Sequence, residues 1–307
     1  MNIKLYCPDI ECESCVKVLT KTFEKLDGIE KFEINQDHLI INFNENKINK
    51  EKIISIINEK GFRADTEQFI RKTFSERFRD FTQNKNKYEN EYKMLKYSIL
   101  SLALLIFLEF TLYSSFLRNI PDFLNKFGLW IFYIDLAVIS IGSAVWHVNS
   151  YKMKIKDMTG MMIGMTFGMQ TGMMIGTIIG ATNGLFVGST AGMLLAVIIG
   201  FYNGRCSGIM GVMEGMMAGV MGGVMGGMTG AMFVLDYISW FMPLFMLINI
   251  IIMFSLSYML FEEVIEHNPK IEKNHTDFIV YFSYILIFTV LLSLIIIYGP
   301  RTGVARL

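Results

Sequence analysis

The stretch "MTGMMIGMTFGMQTGMMIG", Met158–Gly176, carries a glycine at every fourth position from Gly160 onward, and a methionine follows each of the first four. In a water-exposed helix each glycine costs about 1 kcal/mol against alanine, so such a ladder is at odds with a soluble helix. Inside lipid the backbone has no better alternative than a helix. Small residues four apart there let two helix backbones approach closely. The ladder continues through Gly180, Gly184, Gly188, Gly192, Ala196, Gly200, Gly204 and Gly208. A second series runs Gly211, Gly215, Gly219, Gly223 and Gly227, with Gly222, Gly226 and Gly230 beside it. Residues 158–234 therefore read as the Gly/Met-rich core of a helical membrane domain.

The methionines ask for more than packing. Met161, Met165, Met169 and Met173 form a stripe beside the first glycines, and Met213, Met217, Met221 and Met225 form a matching one. At about 1.5 Å rise per residue, successive sulfurs stand roughly 6 Å apart. If the two helices are neighbours, the stripes are expected to line a shared path with thioethers. Thioether is neutral and soft, suits Cu(I) or Ag(I), and serves hard ions poorly. Closely spaced weak sites also permit entry and departure, as conduction requires. The plainer alternative is methionine as a flexible filler of the gaps that glycine leaves.

Outward from this core, polarity divides the chain. Of 307 residues 52% are hydrophobic and the formal net charge is +0, but the charge is gathered in residues 1–95 and residues 96–300 are mostly apolar. A soluble domain followed by a polytopic membrane domain is the division this predicts. The start, "MNIKLYCPDIECESC", turns polar before an apolar core of useful length develops, so no secretory signal is expected there.

Roughly 20 apolar residues cross a bilayer. Segments 97–117, 128–148, 158–181, 184–203, 207–234, 240–262 and 277–298 meet that requirement, giving an all-α domain of about seven helices. Arg77, Arg79, Lys85, Lys87, Lys93 and Lys96 precede the first span, and Lys152, Lys154 and Lys156 follow the second. Arg205 follows the fourth, and Lys270 and Lys273 the sixth. All fall on one side, which the positive-inside tendency makes cytoplasmic. Arg301 and Arg306 fall on the other. The expectation is a multi-pass protein of the cell's inner (plasma) membrane with its N-terminal domain in the cytoplasm.

Residues 1–66 read as βαββαβ, a ferredoxin-like order. "IKLYC" is a strand, and Val16, Leu19, Phe23 and Leu26 then recur at helical spacing up to Gly28. "IEKFEIN" and "HLIINFN" follow as strands, "NKEKIISIINEKGF" as a helix, and "RADTE" as a last short strand. Cys12 and Cys15 enter the first helix as a CxxC pair. Backbone N–H groups at a helix start favour the thiolate, a good soft-metal ligand. Residues 67–95 are a charged linker in which Ile70, Phe74, Phe78 and Phe81 fall on one helical face, suited to a membrane surface or to packing on the small domain.

With Cys12-Glu13-Ser14-Cys15, "LDGIEKFEIN" and "EKGF" in this order, residues 1 to about 66 resemble a heavy-metal-associated domain, the fold of copper chaperones. The resemblance implies that Cys12 and Cys15 bind one soft ion, usually Cu(I), and pass it on by ligand exchange. The loop departs from the family pattern. Asp9-Ile10-Glu11 stands where Gly-Met is usual, and an acidic residue beside the first cysteine is similar to relatives that handle Zn(II) or Cd(II). Cys7 is either a third ligand or a packed strand-end residue. In the membrane region only the short MxxxM and GxxxG patterns are similar to the Ctr copper-uptake family.

Four further residues complete the candidate set. Glu214 lies within a span, where a carboxylate is costly unless it faces a cavity or partner. Cys206 falls between the fourth and fifth spans, placed to receive metal at the cytoplasmic mouth or simply incidental. Glu109 and Asp135, in the first two spans, are candidates for a proton or ion relay. No glycine-rich phosphate loop or nucleophile–base pair is present, so neither an enzyme nor an ATP-driven pump is expected, and no nucleic-acid partner. The expected function is a transporter or channel for a soft monovalent ion, exporting Cu(I) or Ag(I) after capture by the CxxC domain. Its partners are the lipid bilayer, the ion, a cytosolic metallochaperone and further copies of the chain. The alternatives are a non-conducting metal buffer and a glycine-zipper oligomeric scaffold.

Overall fold

The computed structural model describes residues 2–8, 10, 13–35, 38–44, 47–60, 62, 64–66, 74–83, 88–115, 123–152, 157–262, 272–273 and 277–301. They form two compact units, residues 1–84 and 85–307.

In the first unit β1 (Asn2–Tyr6), β3 (His38–Phe43) and β2 (Ile29–Ile34) make an antiparallel sheet in the order β1-β3-β2. Helices α1 (Glu13–Phe23) and α2 (Lys50–Glu59) complete the small domain. The alternation in "HLIINF" decides which face is covered: Leu39, Ile41 and Phe43 are buried between half-buried neighbours. They pack with Leu19 and Phe23 of α1 and Ile53 and Ile57 of α2. Each such side chain contributes about 1.5–3 kcal/mol by leaving water. Gly28 ends the α1 connection at φ +115, which an L side chain rarely adopts. Of the expected fourth strand, the described residues show one bridge, Asp65 pairing with Tyr6 at the β1 edge. Asp65 N donates to Tyr6 O at 3.1 Å, and Tyr6 N donates to Asp65 O at 2.7 Å. The strand order, with that bridge beside β1, is the ferredoxin-like one. Helix α3 (Phe74–Gln83) closes this unit, and the Ile70, Phe74 and Phe78 side chains of its expected apolar face lie outside the described residues.

The second unit is helical. Its helices are α4 (Glu89–Ser115), α5 (Leu129–Asn149), α6 (Asp157–Asn183) and α7 (Leu185–Gly204), then α8 (Gly208–Phe233), α9 (Ile238–Leu260) and α10 (Phe278–Tyr298). Six apolar helical stretches are long enough to cross a membrane, and one of them, Leu185–Phe233, spans 49 residues. That stretch folds back at the 3-10 turn Arg205–Ser207, with Gly208 at φ +69, so it supplies two antiparallel helices and the described residues of the unit hold seven long ones. Helix α4 begins at Glu89, eight residues before the expected span start at 97. Glu89 and Lys93, one turn apart at 2.7 Å, carry the helix beyond the apolar stretch.

The glycines explain the packing of α6, α7 and α8. Gly180 meets Gly188 and Gly176 meets Gly192, so α6 and α7 run antiparallel. Gly204 meets Gly211, Gly200 meets Gly215 and Gly223 meets Met193, so α7 and α8 do too. Gly168 meets Gly215, Gly172 meets Gly223 and Gly180 meets Gly227, so α6 and α8 are parallel. At most of these positions a β-carbon would collide with a neighbouring backbone atom. These seams thus lie inside one chain, the close helix-helix approach expected of the glycine ladders.

Helices α5, α9 and α10 pack against the α6 side of this core, and α4 against α5 and α10, through larger side chains, among them Leu105, Ile134, Ile141, Met246, Ile285 and Ile296. Asn183 at the end of α6 donates its Nδ2 to Ile295 O of α10 at 3.1 Å. Two loops join at one end of the bundle, where β4 (Tyr151–Lys152) pairs with β5 (Glu272–Lys273). This ladder, with the up-and-down helix order, brings Lys152, Arg205 and Lys273 to the same end.

Candidate metal centre and membrane seam

Cys15 sits in the first turn of α1, half-buried at the edge of the small domain's core. Amphipathic spacing puts it there, since Leu19 and Phe23, four and eight residues on, hold that helix face against the sheet. Its partner Cys12 lies outside the described residues, as does the Glu11 side chain. Cys7 follows β1 and is fully buried among Leu5, Ile10 and Leu39, the placement of a core residue. Full burial in the core cluster agrees with the packed strand-end reading of Cys7, while the Cys12 loop that a third ligand would face lies outside the described residues. Among the described residues no three His, Cys, Asp or Glu side chains gather at one point.

The membrane stripes separate. On α6, Met161, Met169 and Met173 are half-buried, whereas Met165 is exposed. On α8, Met213, Met217, Met221 and Met225 are exposed, between 47% and 58%. Each stands two residues from a seam glycine, which is about 200° around the helix. The contact between α6 and α8 is backbone on backbone: a β-carbon on Gly226 would stand 2.8 Å from Met173 O. The expected sulfur-lined path between α6 and α8 is therefore corrected, since no room for an ion is left at that seam. The signal was present in the doubled glycines, Gly222–Gly223 and Gly226–Gly227. They let α8 meet α6 and α7 at once, so both flanks of its glycine face are consumed and the methionines turn outward.

Glu214 is half-buried on α8. Cys206, in the turn between α7 and α8, is half-buried and donates its Sγ–H to Asn203 O at 3.1 Å. Asn203 donates in turn to Ile199 O at 2.9 Å. These bonds hold the turn together.

Sequence spacing gave no hint of a polar cluster at the end of the bundle. Tyr151 donates its O–H to Glu91 Oε1 at 2.6 Å, and the buried His147 places Nε2 3.3 Å from the same oxygen. Around them Glu91 Oε2, His147 Nδ1 and Asn90 Nδ2 are buried without a hydrogen-bond partner among the described residues. The residues are 56 and 60 positions apart, so only the antiparallel packing of α4 on α5 joins them.

Comparison with known proteins bears on the small domain. Residues 5–63 match the heavy-metal-associated domain family. Through this segment the chain belongs to that family. Two uncharacterized proteins of Haemophilus influenzae are each 35% identical over 64 residues, covering 20% of this chain and 94% of theirs. No solved structure matches the chain. The heavy-metal-associated domain is a metal-binding unit, and here it is joined to a multi-pass helical membrane unit.

Proposed function

We propose that the protein carries a soft monovalent ion, Cu(I) or Ag(I), across the cell's inner membrane, and that Cys12 and Cys15 capture it on the cytoplasmic side. The observation that supports this most is the fusion itself: a heavy-metal-associated domain in one chain with an apolar helical unit bearing thioether rows at one-turn spacing. Thiolates hold the ion, and neutral thioethers let it move. Capture on the cytoplasmic side makes export the direction, with a metallochaperone as donor. The basic residues at one end of the bundle favour that side as cytoplasmic. Because the α6–α8 seam is closed, the passage in this reading runs over the outward face of α8. A second copy presenting the same Met213–Met225 row completes it.

Proteoliposomes loaded with a metal-sensitive dye test the reading. Cu(I) and Ag(I) should enter the vesicles, while Zn(II) and Cd(II) should bind the domain without crossing. The double variant Met217→Leu, Met221→Leu should slow flux at least about tenfold, a loss of roughly 1.4 kcal/mol of stabilisation along the path. Undiminished flux in that variant overturns the sulfur path. The closed glycine seam favours a second reading, a membrane-anchored buffer that holds metal without conducting it. Stoichiometric binding with no flux of any ion selects the buffer.

A further inference from the structure

The Glu109 carboxyl of α4 stands against the Asp135 carboxyl of α5. Asp135 is fully buried, and apart from the Glu109 carboxyl its oxygens meet no hydrogen-bond partner among the described residues. Both residues lie within apolar helical stretches long enough to cross a membrane.

Among the described residues no counter-charge reaches the pair. The helices packed on α5 include α6, α9 and α10, which hold no Asp, Glu, Lys, Arg or His across 158–183, 238–260 and 278–298. On α5 the other titratable side chains are Tyr133 and His147. His147 is twelve residues, or about 18 Å, along the helix and is engaged with Glu91. On α4, Lys96 and Lys93 are at least about 20 Å along the helix from Glu109. Tyr113, one turn beyond Glu109, stacks on Phe123, and Lys126 in the π-helical turn Leu124–Gly128 is exposed. Arg301 lies over the Phe127 ring at 5.0 Å, and among the described residues Glu109 is the charged group set against Asp135.

Two ionised carboxylates in this setting would each lose their water and repel one another. A metal ion in place of the missing charge has too few ligands, since no third His, Cys, Asp or Glu joins the pair among the described residues. One proton satisfies both groups: the O–H of one carboxyl donates to an oxygen of the other, and the net charge falls to −1. We propose that Glu109 and Asp135 form a single-proton site inside the membrane, and that its loading and release couple metal movement to the proton gradient. Loading takes one proton from water at one face and release returns it at the other, and no other bond changes. The coupling rests on the transport reading above, whereas the proton site does not.

Two measurements on the full-length chain test this. In nanodiscs at neutral pH, infrared spectroscopy should show a protonated-carboxyl C=O band that disappears in Asp135→Asn. The band should shift in Glu109→Asp, which keeps the carboxyl. A wild-type spectrum without the band, or one unchanged by both substitutions, overturns the proton site. In proteoliposomes, a pH gradient should change the rate of Ag(I) flux several-fold in the wild type, and Asp135→Asn should abolish that response while flux down the metal gradient persists. Flux indifferent to the pH gradient overturns the coupling. Absence of all flux removes transport and coupling together and leaves the infrared result to decide the site.

Discussion

Gly176 of α6 lies so close to Gly223 of α8 that a β-carbon on Gly176 would stand 2.9 Å from the Gly223 carbonyl oxygen. The approach is set by backbone atoms, which cannot rotate aside as a side chain can. Enlarging a seam glycine must therefore separate helices. Gly172→Ala, whose methyl would meet the backbone at Gly222 and Gly223, is expected to cost at least about 1–3 kcal/mol. Gly208→Ala meets nothing within 4 Å, so its cost is backbone strain alone: φ +69 with ψ −152 lies in a region essentially confined to glycine, about 1–3 kcal/mol. Thermal unfolding in nanodiscs should show both losses.

The outward methionines of α8 carry little of the fold. Replacing Met217 and Met221 with leucine should change stability by less than about 1.5 kcal/mol, whatever it does to flux. Met174 is fully buried on α6, and Met174→Ala should cost about 2–5 kcal/mol. Paired unfolding curves check both. Equal losses at the two places would mean that the α8 row is covered in the assembled protein.

Tyr151 secures the end of the bundle through Glu91. Tyr151→Phe keeps the ring and removes the donor at 2.6 Å, leaving a buried carboxylate oxygen short of a partner, for an expected loss of about 1–3 kcal/mol. If Glu91→Gln in the Tyr151→Phe background adds as much as it does alone, the two residues are not coupled. Unfolding of the four proteins of that cycle measures it.

Metal capture should fail before folding does. Cys15→Ser removes a side chain at the edge of the core, so the small domain should retain its circular dichroism. Affinity for Cu(I), measured by chelator competition, should fall beyond the roughly 10–100-fold that loss of an outer-shell partner costs. Cys7→Ser exchanges a fully buried thiol for a more polar hydroxyl, so it should lower stability and leave affinity nearly unchanged.

What the sequence by itself determined is whatever depends on local period and composition. Alternation in "HLIINF", helical spacing at Leu19 and Phe23, and long apolar runs name strands, helices and spans wherever they occur, because burial selects one face of each element. The CxxC pair in that order marked the metal domain, and the four-residue glycine ladder marked the seams. Tertiary structure alone decided which side of each helix is left over once its neighbours are seated. A single-helix stripe cannot say that α8 would spend its glycine face on two partners and turn Met217 and Met221 outward. Nor can spacing show that His147 and Tyr151 would meet Glu91, or that Asp135 would meet Glu109. Those pairings depend on how antiparallel helices are aligned, which the summed packing of the bundle fixes and no short stretch of chain contains.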